Sequence, residues 1–184
     1  MSLAQLAAHR HDAAPPPEQP CSLLRMAVGD DVLAVPIDDV REILQVARLT
    51  PLPRTPDLVR GVMNLRGAVV PVIDLAVRLG LPPTVMGRRS CIVVVNGPPV
   101  ADADGGFSVP GAVLGLLVDA VFEVFDRGGH EIEHAPAMGT TVPPQYLRGI
   151  TRAEGQLIGV LSLHNVLAPQ LLTDCIAAHQ PQPH

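Results

Sequence analysis

An internal repeat constrains this chain more than any other feature. Residues 59–79 and 147–167 align without a gap at a constant offset of 88. Arg60/Arg148, Gly61/Gly149, Gly67/Gly155, Val72/Val160, Leu75/Leu163 and Leu79/Leu167 are identical. Val62/Ile150, Val69/Leu157, Val70/Ile158 and Ile73/Leu161 exchange one apolar side chain for another, and Pro56 and Pro144 keep the same offset. Upstream, LAVPIDDVREIL (33–44) and LGLLVDAVFEVF (114–125) align at an offset of 81, with Leu33/Leu114, Asp38/Asp119, Val40/Val121 and Glu42/Glu123 identical. Chance likeness between Val- and Leu-rich segments would not bring arginines and glycines into step. Two matched pairs in one order define a tandem duplication of a small β-rich unit.

Within the unit, the apolar runs Val62–Leu65 and Ala68–Ile73 are separated by Arg66-Gly67. Glycine there supplies the positive φ of a tight turn, so the segment is predicted to be a β-hairpin. Pro71 removes a ladder donor from the second strand and predicts an edge at that point. Asp74 is expected to cap a final turn through Leu79. Upstream, strands are expected over Cys21–Val28 and Val32–Val35 around a Gly29-Asp30-Asp31 turn. Ile37–Leu44 has apolar residues at helical spacing with Asp38 and Asp39 in its first turn, which predicts a short helix, a bent strand being the alternative. Thr55-Pro56 looks like the start of one helical turn ending at Gly61.

In the second half, Cys91–Val95 is predicted to be a buried strand that pairs with Val113–Val118. The intervening Asn96–Ala112, rich in Gly and Pro, is longer than hairpin loops usually are and is expected to be an inserted mobile loop. Val121–Phe125 continues the unit, residues 126–145 are expected to be irregular, and Leu163–Ala178 is expected to be a helix that Pro169 can kink or restart. The predicted organisation is a disordered lead-in over 1–20 and a folded region over 21–168. The latter divides into subdomains of about 22–82 and 90–168, and a helix end and tail follow over 169–184.

With 47% hydrophobic residues and no Trp, the core must be made of Val, Leu, Ile and Ala. Three Phe and one Tyr leave no platform for stacking bases, and a net charge of −5 opposes a phosphate backbone, so nucleic acid is excluded as a partner. Cys21, Cys91 and Cys175 are odd in number and far apart, which fits a reduced, cytoplasmic chain. The first twenty residues have no apolar core of a signal peptide, and no window is long and apolar enough for a bilayer span.

His130-Glu131-Ile132-Glu133-His134 has the HExxH spacing of zinc peptidases, in which a helix aims both imidazoles at one metal. Gly128-Gly129 before it and Pro136 after it deny that helix, so the segment reads as a polar loop with no metal. Asp102-Ala103-Asp104-Gly105 begins like a calcium loop, yet the twelfth position is Val113 instead of a bidentate glutamate. With no phosphate loop, no nucleophile elbow and no assembled base and nucleophile, an enzyme is not expected and no cofactor is implied.

Several stretches together resemble the CheW family of chemotaxis coupling proteins over about residues 22–168. They are Val40-x-Glu42-Ile43, Thr55-Pro56, the R-G-V-x-N-L-R-G string (Arg60–Gly67) and V-V-P-V-I-D-L (Val69–Leu75). Later ones are L-x-V-D-x-V (Leu116–Val121), Y-L-x-G (Tyr146–Gly149) and V-L-S-L-H-N-V-L (Val160–Leu167). The resemblance implies a mainly β fold: two pseudo-symmetric, five-stranded SH3-like barrels with short helices and a C-terminal helix. It implies a non-enzymatic adaptor that couples the cytoplasmic tip of a chemoreceptor (a methyl-accepting chemotaxis protein) to the regulatory domain of the histidine autokinase CheA. Such a protein is cytoplasmic and reaches membrane-bound receptor arrays through its partners, without inserting into the membrane. By position it places partner binding at Val40, Glu42, Ile43, Gly61, Asn64 and Arg66. The alternatives are a scaffold of the same fold in a non-motility array and a zinc hydrolase using His130 and His134.

Overall fold

The computed structural model describes residues 20–46, 48–98, 100–101, 108–109, 111–134 and 140–168. The lead-in before Pro20 and the tail beyond Ala168 lie outside them. The strands are β1 (Cys21–Val28), β2 (Asp31–Pro36), β3 (Val40–Gln45), β4 (Val59–Leu65), β5 (Ala68–Asp74), β6 (Cys91–Asn96), β7 (Val100–Ala101), β8 (Ser108–Val109), β9 (Val113–Val118), β10 (Ala120–Arg127), β11 (Leu147–Ala153) and β12 (Gln156–Leu161). Two one-turn helices follow the hairpins, α1 (Leu75–Arg78) after β5 and α2 (Leu163–Val166) after β12. The fold is thus mainly β, with two five-stranded sheets ordered β10-β1-β2-β12-β11 and β3-β6-β9-β5-β4.

The repeat maps one sheet onto the other strand for strand. β4, β5 and α1 become β11, β12 and α2, while β2 and β3 become β9 and β10. β1 and β6 then hold equivalent places. Even the register repeats: Val72 lies opposite Gly115 across the parallel β5–β9 pair, and Val160 opposite Ala34 across β12–β2. Each sheet takes two strands from one copy (β1 and β2, or β6 and β9) and three from the other. The division at 22–82 and 90–168 therefore does not separate the sheets. Sequence likeness identifies equivalent strands but says nothing about which copy supplies a strand's neighbour.

That exchange explains the apolar runs. On β6, Ile92 and Val94 pack into the second sheet's own core with Met63, Val70, Val72 and Leu117. Val93 and Val95 turn the other way, into a core shared with Leu24, Met26, Leu33 and Leu161 of the first sheet. Leu23, Ala34, Ile158 and Val160 fill the first sheet's own interior. Strands buried on both faces lose the alternation of a half-exposed strand. Each fully buried large aliphatic contributes about 1.5–3 kcal/mol.

Local departures from expectation have local causes. The Ile37–Leu44 helix is only a 3-10 turn over Ile37–Asp39, after which β3 pairs with β6, so the bent strand prevails. Thr55-Pro56 opens a single turn closed by Val59 N to Pro56 O at 2.8 Å, not a helix. β5 is an interior strand, not an edge. Val62, opposite Pro71, exchanges both of its backbone bonds with Thr50, so the missing proline donor removes nothing from the β4–β5 ladder. Among its described residues, the insertion Asn96–Ala112 contains the paired β7 and β8, with Val100 opposite Val109. Residues 126–145, expected to be irregular, begin with the end of β10 and include 3-10 turns over Gly129–Glu131 and Pro144–Tyr146. α2 ends at Val166, and the expected helix does not continue through Ala168, which precedes Pro169 and is steered from helical geometry.

Asp74 fixes the end of the first hairpin. Its side chain is fully buried. Oδ1 accepts from Ala76 N at 3.0 Å and Thr84 Oγ1 at 3.0 Å. Oδ2 accepts from Thr84 N at 2.9 Å and Arg60 Nη1 at 3.0 Å. One carboxylate thus ties β4, β5, α1 and the connector that follows. Asp74→Ala leaves the arginine and the cap unpaired, which costs about 3–5 kcal/mol when a buried pair is broken. Thermal melts should show a fall on the order of 10 °C. In contrast, replacing residues 99–110 by a two-residue Asn-Gly turn should preserve the fold. β6 and β9 already meet there, with Gly97 N donating to Ala112 O at 2.8 Å. Loop closure changes by only about 0.6 kcal/mol per halving of length, so a melt displaced by more than a few degrees would show that the insertion carries part of the core.

Candidate functional site

The tip of the β4–β5 hairpin is built by Asn64-Leu65-Arg66-Gly67-Ala68. Arg66 and Gly67 have φ of 52° and 87°, the two positive values of a type I′ turn. Asn64 Oδ1 accepts from Gly67 N at 2.9 Å and locks that turn. Arg66 is thereby projected outward, with its side chain 80% exposed.

β3 lies at the opposite end of the strand order, yet Arg66 Nη2 donates to Glu42 Oε1 at 3.1 Å. Only a sheet curled nearly into a closed barrel brings these ends together, which is consistent with an SH3-like barrel. The Glu42 side chain is 27% exposed. An ion pair this open contributes about 0–1 kcal/mol, so its main effect is to hold two charged groups in one orientation at the mouth of the barrel.

The other expected site residues fall into distinct places. Val40 is half-buried and packs against the shared core. Strand alternation sends Ile43 to the face opposite Glu42, where it is 40% exposed on a strand that, among the described residues, pairs only with β6. Gly61 is buried at the far end of β4. A Cβ there would lie 2.5 Å from Thr50 O, so Gly61 lets a crossing backbone in and presents no side chain to a partner. The structure therefore joins Glu42, Asn64 and Arg66 and separates them from Ile43 and Gly61.

Two neighbours escaped the sequence reading. Val69 is 47% exposed beside the hairpin tip, and Arg41 Nη1 donates to Asn96 Oδ1 at 3.4 Å. The barrel mouth also has a counterpart in the first sheet. There the equivalents of Glu42 and Arg66 are Glu123 and Glu154, two like charges. Arg25 bridges them, with Nη1 at 2.8 Å from Glu123 and 3.5 Å from Glu154, and lies 5.4 Å from the centre of the Phe122 ring. The charge reversal at this position was legible in the repeat alignment. The inserted arginine was not, because it comes from the other copy.

The HExxH segment is not an α-helix. His130 and Glu131 belong to the 3-10 turn Gly129–Glu131, and Glu133 bridges Ile150 as a strand residue would. Glu131 Oε2 accepts from Gly128 N at 2.7 Å, a capping bond. The periodicity that would align the two histidines on one face is absent, so the zinc-hydrolase alternative lacks its scaffold. Among the described residues, no group of three or more His, Cys, Asp and Glu could hold a metal, and no helix is long and apolar enough to cross a membrane.

Comparison with known proteins agrees with this architecture. A family model described as CheW-like domain matches residues 22–170. The chain is 34% identical over 144 residues to the chemotaxis protein CheW of Rhizobium meliloti (strain 1021), covering 78% of this chain and 85% of that protein. It is 34% identical over 154 residues to protein FrzA of Myxococcus xanthus, covering 82% and 86%. Among solved structures, the scaffolding protein TtCheW from Thermoanaerobacter tengcongensis superposes with a TM-score of 0.68 at 28% identity, covering 89% of this chain and 96% of that one. Family match, relatives and fold coincide over the same paired sheets, and on that ground the chain belongs to the CheW-like domain family.

Proposed function

We propose that this protein is a non-enzymatic adaptor in chemotaxis signalling, one that couples the cytoplasmic tips of chemoreceptors to the regulatory domain of a histidine autokinase. The observation that carries this reading is the mouth of the second sheet, where a locked turn holds Arg66 against Glu42 beside exposed Val69. β3, whose outer edge is unpaired among the described residues, adjoins it and adds exposed Ile43 on its other face. Open edges and exposed apolar side chains recruit protein partners. An orientated guanidinium supplies bidentate recognition of a carboxylate, which sets specificity. The names of the relatives, chemotaxis proteins and a scaffolding protein, support the same assignment. The adaptor would work on the cytoplasmic side of the membrane, held at receptor arrays by its partners.

The test separates folding from coupling. Because Arg66 and Glu42 form an open pair, Arg66→Ala and Glu42→Ala should each cost less than about 1 kcal/mol, a melt displaced by no more than about 4 °C. Truncating a charge that becomes buried in an interface costs about 2–5 kcal/mol. Ternary assembly with a receptor tip and a kinase regulatory domain, measured by co-sedimentation, should therefore weaken at least about tenfold. Assembly at wild-type strength in both variants would remove this mouth from the coupling surface.

A further inference from the structure

The repeat keeps an arginine in both copies but an acid in only one. In the first copy, Arg60 is the extra residue of a bulge in β4 and holds the buried carboxylate of Asp74. Arg148 is the extra residue of the matching bulge in β11. The residue before α2 is Ser162 in place of Asp74, and it has the same extended backbone (φ −92°, ψ 100°, against −79° and 110°). Ser162 makes no side-chain bond to the turn it precedes. Among the described residues, Arg148 belongs to no ion pair within 4.0 Å.

Where the first copy has its carboxylate, the second has a pocket of about 400 Å³. Arg148, Ser162, His164, Asn96, Asp39 and Leu163 line it. Burial pushes the Asp39 carboxyl above its usual range, Asp38 adds to this, and Arg148 opposes it. Asp39 therefore feels the guanidinium without pairing with it directly. A single planar carboxylate matches both the guanidinium fork and the adjacent hydroxyl.

We propose that this pocket binds a carboxylate, which takes against Arg148 and Ser162 the place that Asp74 takes against Arg60. The acid can be a free organic acid or Asp174, the one acidic residue in the sequence after α2.

The test uses the full chain with ¹⁵N-labelled arginine. The Arg148 Nε–H signal is followed by NMR at pH 7 during titration with succinate, with sulfate as control, and heats are measured by calorimetry. A saturable shift of Arg148 with succinate, absent at Arg60 and not reproduced by sulfate, is the expected result. Arg148→Gln should weaken the calorimetric affinity at least about tenfold, as loss of a charge-assisted bidentate bond requires. Ser162→Asp, which restores the acid of the first copy, should melt no lower than wild type and abolish the succinate shift. If succinate binds only after Asp174→Asn, the carboxylate is the chain's own and the proposal stands with that source. The proposal is overturned if succinate shifts neither the wild type nor Asp174→Asn. It is equally overturned if sulfate acts as succinate does, or if the affinity survives Arg148→Gln.

Discussion

Burial on both faces of the inner strands is the constraint on which the other features depend. Val93 and Val95 of β6 and Leu114 and Leu116 of β9 face the same core as Leu24, Met26 and Leu33 of the opposite sheet. Their sequence neighbours Ile92, Val94 and Leu117 face inward on their own sheet. Neither sheet can be completed by one half of the chain, since β1 pairs with β10 and β3 with β6. The central ladders join residues far apart in sequence, a topology whose loop-closure entropy slows folding. The shared core also anchors the strands whose ends carry the charged groups at the rims.

Much of this was legible in the residues, and what was not has physical reasons. The hairpins, their turns and the Asp74 cap follow from local chemistry: glycine at positive φ, a carboxylate before a helical turn, matched apolar runs. The helical spacing of Ile37–Leu44 was overruled because β6 supplies a ladder that local propensity does not register. Pro71 was misleading as an edge signal, since Thr50 takes up the bonds of the opposing Val62. At the candidate site, Glu42 and Arg66 could each be named, but their contact could not. It depends on the curl of a sheet whose end strands they occupy. Gly61 was named as a site residue through the family resemblance alone, and the crossing Thr50 backbone that leaves no room for a Cβ there comes from a distant segment that the local residues do not reveal.

The two copies have diverged where the shared core does not restrain them. One barrel mouth holds a single glutamate–arginine pair, whereas the other holds two glutamates around Arg25. One hairpin end encloses an aspartate, whereas the other has a serine beside an arginine. Even the turn between the first two strands of each unit differs: Gly29-Asp30 suffices in the first copy, and the second carries the β7–β8 extension. Pseudo-symmetry in the backbone thus supports chemically unlike surfaces.

The reciprocal exchange of strands has a bearing on how such a molecule can arise. Two unlinked copies of one unit, each lending three strands to the other, would form the same pair of sheets as a swapped homodimer. Folding of that ancestor would be second order, and its stability would rise and fall with protein concentration. The tether Leu81–Ser90 turns the encounter into an intramolecular one at high effective concentration. Once both halves were encoded separately on one chain, a substitution no longer appeared twice by symmetry. The two rims can therefore differ in charge, as they do here.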